Sequence, residues 1–471
     1  MKNLSTHKQS TSKGVVPGKH YSYHELVEYL DGCWLNDRKD SSLSCMKKLD
    51  KAFGNVSKKI DTILVTGTNG KSLTTYFTTR LLQQEGLSVG SLYAPHLLTY
   101  NERFVYNNET ISNKQFADIG NEVVHTVETL GLKPHALDIL TTMAFLYFSR
   151  QRVDVALLEL TDLHGTDPAL ISKPKISAIT RITNFETEEN SEQTIKKVLS
   201  VVSPNTHVVS ADQSKLNLNV MEKITAEKKG IWAMPIRKLA PLAYPFEQLH
   251  GRSAALAERV AQLYVNTFLA NDTVIIANSL LIKQKGQRGR PTLEAKRKSE
   301  LHPQRTIEEF WKEVTSLLPG RFQLLDKEKP TVLLDTASNV DAMENLLLGI
   351  RLLHYRCPIK GLVLILANSN ERLQMAEFVK QLRYFFKKMS GSVIVCSVSK
   401  QAGPHGRASW DQEKVTNDLK SMKIKARSAK SFQEAFELAS KTVDDRNGLI
   451  VVAGSSALVA DYWRSKGMKR L

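Results

Sequence analysis

Six consecutive residues, read as G-T-N-G-K-S, have the composition of a loop that binds phosphate. The glycines let the backbone wrap so that its N–H groups point at an anion, and the lysine adds a positive charge. The serine places a hydroxyl where a phosphate-bound Mg²⁺ would sit. The usual motif has a glycine six residues before the lysine, where this chain has Val65. The predicted loop is the shorter one formed by Gly67, Thr68, Asn69, Gly70, Lys71 and Ser72.

A strand and a helix must hold this loop. Ile63 to Val65 is short and apolar, which is typical of a parallel strand buried on both faces. Residues 72–85 read as a helix with Leu73, Phe77 and Leu81 on one face, and Gly86 ends it. This context favours a nucleotide-binding loop over an ordinary strand–turn–helix that contains glycines.

A second stretch supplies a carboxylate. Residues 153–160 predict another apolar strand, with Glu159 near its carboxyl end. In a parallel sheet this end lies on the same edge as the phosphate loop. Glu159 could therefore bind a Mg²⁺ whose other ligands are phosphate oxygens and Ser72. The alternative is a solvated acid at the end of a strand.

Length and composition limit the remaining possibilities. A chain of 471 residues is too long for one core and should form two or three domains. No apolar run approaches the roughly 18–20 residues of a membrane span, so we expect a soluble protein without membrane partners. The four cysteines have neither metal-ligand nor disulfide-framework spacing, which indicates a reducing, cytoplasmic location. The net charge of +17 favours anionic partners.

The order of elements predicts an α/β protein with parallel sheets. Residues 1–20 read as a disordered basic tail, and structure should begin near Tyr21. Asn101, Glu102 and Arg103 are expected in a surface loop. The further predicted strands are residues 87–93, 176–182, 201–209, 362–367, 393–398 and 449–455, and the further predicted helices are residues 43–53 and 138–148.

Several motifs, in order along the chain, resemble one enzyme family. The phosphate loop is similar to that of the Mur ligase superfamily. Ala94-Pro95-His96-Leu97, Glu102-Arg103 and Ile111-Ser112 resemble the S-P-H-L, E-R-I and I-S motifs of its folylpolyglutamate synthase and dihydrofolate synthase branch. The match continues through Thr142 to Phe148, Glu159, Pro319-Gly320-Arg321, Asp335 to Asn339 and Ala453-Gly454-Ser455.

The resemblance implies a two-part ligase. Residues 21–318 would form a P-loop, parallel-sheet ATPase domain of the Mur ligase central type, and residues 319–471 a smaller Rossmann-like α/β domain. ATP and Mg²⁺ would be used to convert a carboxylate into an acyl phosphate, which an amine attacks. Lys71 and Glu159 would be catalytic, while Arg321 and Asp335 would join the loop in binding ATP. His96, Glu102 and Arg103 would bind the folate-like substrate.

The chain departs from the family where the chemistry should occur. After Glu159 the family reads G-L-G-G-R-x-D-A-T-N, whereas residues 161–170 keep only Asp167. Glu186 stands where the family has a metal-binding His, so Ser72, Glu159 and Glu186 are the predicted metal ligands. The family's carbamate-bearing lysine falls at Lys197 or Val198. Ser253 replaces an adenine-packing Asn, and Ser338 replaces a His.

One segment lies outside these motifs. Residues 283–305 carry eight Lys or Arg against two Glu, with glycines and prolines that oppose regular structure. A solvated basic loop or interdomain linker is favoured over a DNA-binding hook, because a single short R-G-R-P copy is weak support for the latter.

Three functions remain open. The first is an ATP-dependent ligase, acting as a monomer, that adds glutamate to folate or a related pterin carboxylate. The second is a catalytically weakened relative that binds nucleotide or folate as a regulator. The third is a nucleic-acid-associated ATPase, which the lack of stacking aromatics near the basic segment disfavours. The sequence favours the ligase because Lys71, Ser72 and Glu159 are intact.

Overall fold

The structure is a computed structural model, and it describes most of the chain. The described residues are 19–36, 43–161, 163, 165–183, 191–233, 246–269, 318–368, 375–399 and 410–471. Residues 1–18 of the tail predicted at residues 1–20 lie outside these ranges, as do the predicted ligand Glu186 and the basic segment 283–305.

The first sheet has eight strands in the order β4-β3-β2-β5-β1-β6-β7-β8. The pairs from β2 through β8 are parallel, and β3 and β4 add an antiparallel edge. This order places β1 and β5, the strands before the phosphate loop and Glu159, side by side at the centre. The strands are β1 (Asp61–Thr66), β2 (Val89–Leu92), β3 (Phe104–Tyr106), β4 (Glu109–Thr110), β5 (Val155–Glu159), β6 (Ile176–Ile179), β7 (His207–Ser210) and β8 (Ile231–Trp232).

Helices cover both faces of this sheet. One apolar cluster joins the sheet to α1, α2, α4 and α5, and the other joins it to α3 and α8. Leu73, Phe77 and Leu81 are all buried in the second cluster, as the helical spacing predicts. The helices are α1 (Tyr23–Cys33), α2 (Ser44–Ala52), α3 (Lys71–Gln84), α4 (Asn113–Thr129), α5 (Ala136–Gln151), α6 (Ser191–Val198), α7 (Lys215–Glu227) and α8 (Phe246–Phe268).

The second sheet has six strands in the order β13-β12-β11-β14-β10-β9, all parallel except the β9 edge. Its strands are β9 (Gln323–Leu325), β10 (Thr331–Asp335), β11 (Leu362–Leu366), β12 (Ser392–Cys396), β13 (Ala426–Ala429) and β14 (Leu449–Ala453). Its helices are α9 (Val340–Arg356), α10 (Met375–Phe386), α11 (Gln412–Ser421), α12 (Phe432–Ser440) and α13 (Ser456–Ser465). They cover its two faces over separate apolar cores.

The α/β class with two mainly parallel sheets is therefore confirmed. One strand prediction is largely wrong: the strand predicted at residues 201–209 begins only at His207 and ends at Ser210, because Leu199–Val201 forms a 3₁₀ turn and the chain turns again before His207. The boundary near Pro319 stays a prediction. Leu318 packs in a core of the first sheet and Phe322 in a core of the second.

Two further features bear on the composition argument. Among the described residues, no helix has the length and apolar character needed to cross a bilayer. All four cysteines lie within the described ranges, and none of them is in a disulfide.

Candidate functional site

The phosphate loop joins the end of β1 to the start of α3, and two of its residues must be glycine. Gly67 has φ of +127°, and a Cβ there would lie 2.1 Å from Thr180 Oγ1. Gly70 has φ of +91°, and a Cβ there would lie 2.7 Å from Ser253 Oγ. Any side chain at these two positions would collide with the walls of the loop as well as strain the backbone.

Lys71 and Ser72 form the first turn of α3. The Lys71 ammonium donates to the Gly67 carbonyl at 2.7 Å, so its charge lies over the loop and not in solvent. Ser72 is 7% exposed, and its hydroxyl accepts from Arg321 at 3.3 Å. A helix N-terminus, a lysine and a hydroxyl therefore converge on one small region, which favours an anion.

Glu159 is the last residue of β5 and pairs in register with Val65 on β1. It is 2% exposed, and its Oε2 accepts the Ala94 N–H at 2.6 Å. Its Oε1 is also buried but accepts no hydrogen bond from the described part of the chain. Burial raises the pKa of Glu159, while the nearby Lys71 charge opposes this rise.

This carboxylate fits a divalent metal. A buried acceptor without a donor is costly in an apolar site, and a cation would satisfy it. The described residues contain no group of three or more His, Cys, Asp or Glu side chains placed to hold a metal. A single buried carboxylate is compatible with Mg²⁺, which protein sites bind through one or two carboxylates together with substrate phosphates and water.

Arg321 and Asp335 bring the second sheet to the phosphate loop. Besides contacting Ser72, Arg321 donates to Thr336 Oγ1 at 2.5 Å. Asp335 ends β10, and its two oxygens accept the backbone N–H groups of Phe322 and Ala337, each at 2.8 Å. Burial raises the pKa of Asp335 to about 6. This carboxylate therefore orders the backbone immediately after Arg321 and after Thr336.

The loop after β2 is held by Glu102. Its carboxylate accepts the backbone N–H groups of Leu97, Leu98 and Thr99 at 2.7–2.9 Å. Burial raises the pKa of Glu102, and these three donors oppose the rise. Leu97 is 4% exposed and packs in a core of the second sheet. The loop thus bridges the N-terminal part of the molecule, built on the first sheet, and the C-terminal part, built on the second. Glu102 fixes the shape of this loop.

Arg103 contradicts the prediction of a surface loop, because it is 2% exposed. Its Nε donates to His96 Nδ1 at 2.9 Å, and its guanidinium lies 5.8 Å from the centre of the Trp34 ring. Burial lowers the pKa of Arg103 to about 10, and the negative charges of Glu159 and Asp167 are among those that oppose this. The guanidinium is therefore a buried cation that the negative charges of Glu102, Glu159 and Asp167 help to keep protonated.

The structure describes several of the residues at which this chain differs from, or is ambiguous against, the family pattern. Asp167 is 2% exposed and accepts the N–H groups of Thr161 and Ala169, so it shapes the loop after β5. A Cβ at Gly165 would lie 3.3 Å from Lys197 Cβ, whereas Val198 is buried in an apolar cluster. Lys197, and not Val198, is thus the residue whose side chain lies against the loop after β5. Ser253 lies against Gly70.

Two residues that the sequence analysis did not select also meet here. Arg181 follows β6 and forms an ion pair with Asp341, in the first turn of α9, at 2.6 Å. Asn69 of the phosphate loop donates to the same Asp341 at 2.7 Å. The position of Arg181 after the carboxyl end of a parallel strand was a usable signal. Nothing in the sequence signals that Asp341 is its partner.

Of the predicted site residues, those in the described ranges lie in one connected region. The phosphate loop, Glu159 and Arg321 form its centre. Asp335 flanks Arg321, and His96, Glu102 and Arg103 surround the loop after β2, whose Ala94 contacts Glu159. The role of each residue toward ligands stays a prediction.

Comparisons with known proteins agree with this arrangement. Residues 320–456 match the family described as Mur ligase, glutamate ligase domain. A dihydrofolate synthase/folylpolyglutamate synthase of Bacillus subtilis is 36% identical over 146 residues, which are 30% of this chain and 34% of that protein. The chain thus aligns with about a third of that curated relative's length.

Two solved structures share the fold over nearly the whole chain. The Mycobacterium tuberculosis folylpolyglutamate synthase in complex with ADP has a TM-score of 0.72 at 18% identity, covering 95% of this chain and 99% of that one. A bifunctional folylpolyglutamate synthase/dihydrofolate synthase of Yersinia pestis, in complex with AMPPNP and a Mn ion, has a TM-score of 0.67 at 18% identity. It covers 96% of this chain and 100% of that one. The resemblance inferred from the motifs is confirmed.

Proposed function

We propose that this chain, which has the fold of folylpolyglutamate synthases, is an ATP-dependent ligase that adds glutamate to folate or a related pterin carboxylate. The observation that carries the proposal is the pairing of a glycine-dependent phosphate loop with a buried carboxylate whose second oxygen has no donor among the described residues. The names of the similar proteins support the folate and glutamate assignment, and their ADP, AMPPNP and Mn ligands support a nucleotide with a divalent metal.

The phosphate loop would bind the triphosphate. The N–H groups at the α3 N-terminus would face the anion, and Lys71 needs only to leave the Gly67 carbonyl to reach a phosphate oxygen. Ser72 and Glu159 would hold Mg²⁺, which neutralises phosphate charge when bound. Arg321 already contacts Ser72, so its guanidinium is placed to stabilise negative charge that develops during transfer of the γ-phosphoryl group.

Amide formation from a free carboxylate needs a better leaving group than hydroxide. The substrate carboxylate oxygen would attack the γ-phosphorus of ATP, which forms an acyl phosphate and releases ADP. The glutamate nitrogen would then attack the acyl carbon and expel inorganic phosphate. For this chain's residues the task is mainly alignment and charge neutralisation.

The loop after β2 is the proposed wall of the carboxylate site. It lies between Glu159 and the second sheet, because Ala94 contacts Glu159 and Leu97 packs with the C-terminal core. Glu102 would fix the loop, while His96 and Arg103 would set the electrostatic environment of the carboxylate. We also propose that the protein is a monomer and that it lies in the cytoplasm. The cytoplasmic location is in keeping with four cysteines that form no disulfide.

The direct test is release of ADP and phosphate from ATP, with and without glutamate plus a reduced folate or dihydropteroate. Mass spectrometry of the products would detect the added glutamate. Phosphate release that requires both substrates and yields a glutamylated product supports the ligase. Nucleotide or folate binding without product would contradict it and favour the weakened, regulatory relative.

A further inference from the structure

The carboxylate of Asp341 joins the two parts of the molecule at the phosphate loop. It is 4% exposed, and its two oxygens have separate donors. Oδ1 lies 2.6 Å from Arg181 Nη1, and Oδ2 accepts from Asn69 Nδ2 at 2.7 Å. Asp341 belongs to the C-terminal part, in α9, whereas both donors belong to the N-terminal part. The contact therefore exists only while the two parts lie together.

Both donors also determine the shape of the phosphate loop. Asn69 is a loop residue, and its amide exchanges two hydrogen bonds with the amide of Asn339, at 3.1 and 3.2 Å. The carbonyl of Arg181 accepts the Thr68 N–H at 2.7 Å. The same backbone leaves no room for a side chain on Gly67, whose added Cβ would lie 2.7 Å from that carbonyl oxygen.

We propose that Asn69, Arg181 and Asp341, here called the junction, are positioning residues that couple nucleotide binding in the phosphate loop to the position of the C-terminal part. A buried carboxylate with both donors across an interface is stabilised only when that interface is formed. Because the donors also define the loop, the loop conformation that binds phosphate and the closed arrangement favour each other. The coupling is reciprocal by linkage.

The junction differs from the exposed ion pairs of this protein in the burial of its acid, because Asp341 is 4% exposed although Arg181 is 40% exposed. Lys466 and Glu328, for example, pair at 2.6 Å with both side chains more than a third exposed, within the C-terminal part. Exposed pairs of that kind contribute little, since water and salt screen them. They provide a matched control that has the same charges but does not cross the interface.

The proposal rests on the proposed function in one respect, that the phosphate loop binds a nucleotide. The test measures the dissociation constant of a fluorescent ATP analogue for wild type, R181A, D341A and the double variant. Small-angle scattering with and without ATP follows the arrangement of the two parts. We expect each single variant to bind roughly tenfold more weakly, because loss of closure lowers the affinity of a loop that is itself unchanged in sequence.

The double variant should bind no more weakly than either single one, since all three lack the same contact. The singles should also have a larger radius of gyration without nucleotide and contract when ATP saturates them. D341N, which keeps an acceptor for Asn69 but loses the charge, should fall between wild type and D341A. D341N also takes the place of D341A in this test if D341A does not fold. R181K should recover part of the loss. K466A with E328A should leave affinity and radius unchanged.

Additive effects of R181A and D341A on affinity would overturn the coupling, and so would unchanged affinity accompanied only by a lower melting temperature. Either result would reduce the junction to a structural ion pair. Failure of the wild type to bind ATP would instead overturn the proposed function and, with it, the coupling. The two failures are thus distinguishable.

Discussion

Two acids of this protein each end a strand of a parallel sheet, yet their surroundings differ. Glu159 ends V-A-L-L-E in the first sheet, and Asp335 ends T-V-L-L-D in the second. Burial raises the pKa of both. Both Asp335 oxygens accept backbone N–H groups, whereas Glu159 has one backbone donor and one buried oxygen that lacks a donor in the described residues. The same pattern thus produces a carboxylate that clamps a loop in the second sheet and, in the first, a carboxylate that we propose as a metal ligand.

The difference has a simple physical origin. A carboxylate that already accepts hydrogen bonds from fixed N–H groups has few lone pairs left for a ligand. Those hydrogen bonds already contribute to the stability of the fold. A carboxylate that is buried with one oxygen unsatisfied gains most when a cation arrives. Lys71 stands beside Glu159 and Arg321 beside Asp335, so each acid also has a cation nearby. The number of satisfied oxygens, and not the charge balance, separates the two.

The largest effect should come from Lys71, the lysine of the phosphate loop at the edge of the first sheet. Lys71→Ala removes the charge that faces the phosphates, so we expect a loss of turnover of about a hundredfold or more. ATP turnover and nucleotide affinity are the measurements. Lys48→Ala, an exposed lysine on α2, is the control and should change neither. Wild-type affinity and turnover in Lys71→Ala would remove the basis of the nucleotide site.

The comparison itself is tested by Glu159→Gln. This change keeps the size of the side chain but removes the negative charge, so we expect Mg²⁺ to bind the nucleotide-loaded protein at least tenfold more weakly. Because burial raises the pKa of Glu159, Mg²⁺ binding to the wild type should release protons, and the variant should release fewer. Calorimetry in two buffers measures both. Equal Mg²⁺ affinity in the variant would mean that Glu159 is a clamp like Asp335.

Asp335→Asn should act on stability and its pH dependence. The folded pKa of about 6 lies above the unfolded value of 3.8, so between these values the folded state binds more protons. The free energy of unfolding of the wild type should therefore fall as pH rises through this window, by about 1–3 kcal/mol. The variant should lack this fall.

Urea unfolding at several pH values would measure the difference, with Asp326→Asn, an exposed acid in the turn after β9, as control. A wild-type slope equal to that of Asp335→Asn would mean that the carboxylate titrates normally. A large loss of Mg²⁺ affinity in Asp335→Asn would mean that the two acids share one role.

The smallest effect is expected at Glu186, outside the described residues. If it is a second oxygen ligand, Glu186→Gln should raise the Mg²⁺ requirement of ATP turnover several-fold. An unchanged requirement would assign it to the solvated acidic run with Glu188 and Glu189. The site in the first sheet would then rest on Glu159 as its single protein carboxylate.

The sequence by itself determined the elements that carry the chemistry. A contiguous G-T-N-G-K-S, apolar runs before it and before Glu159, and a helical apolar face were enough to place the phosphate loop between β1 and α3. These features are local, because strand, turn and helix are each set by residues within a few positions. The order of elements extended this to the α/β class with parallel sheets, and the family motifs added the division into two parts.

Only the tertiary structure decided which polar atoms are satisfied and which are not. Arg103 follows Glu102 in an apparently solvated pair, but the fold buries it against His96 and Trp34. The junction of Arg181 with Asp341 joins residues from two sheets, and no local pattern encodes that pairing. The solvation of a charged group depends on every segment that packs around it. For that reason the sequence could nominate Glu159 and Asp335 alike, and only the folded chain could distinguish them.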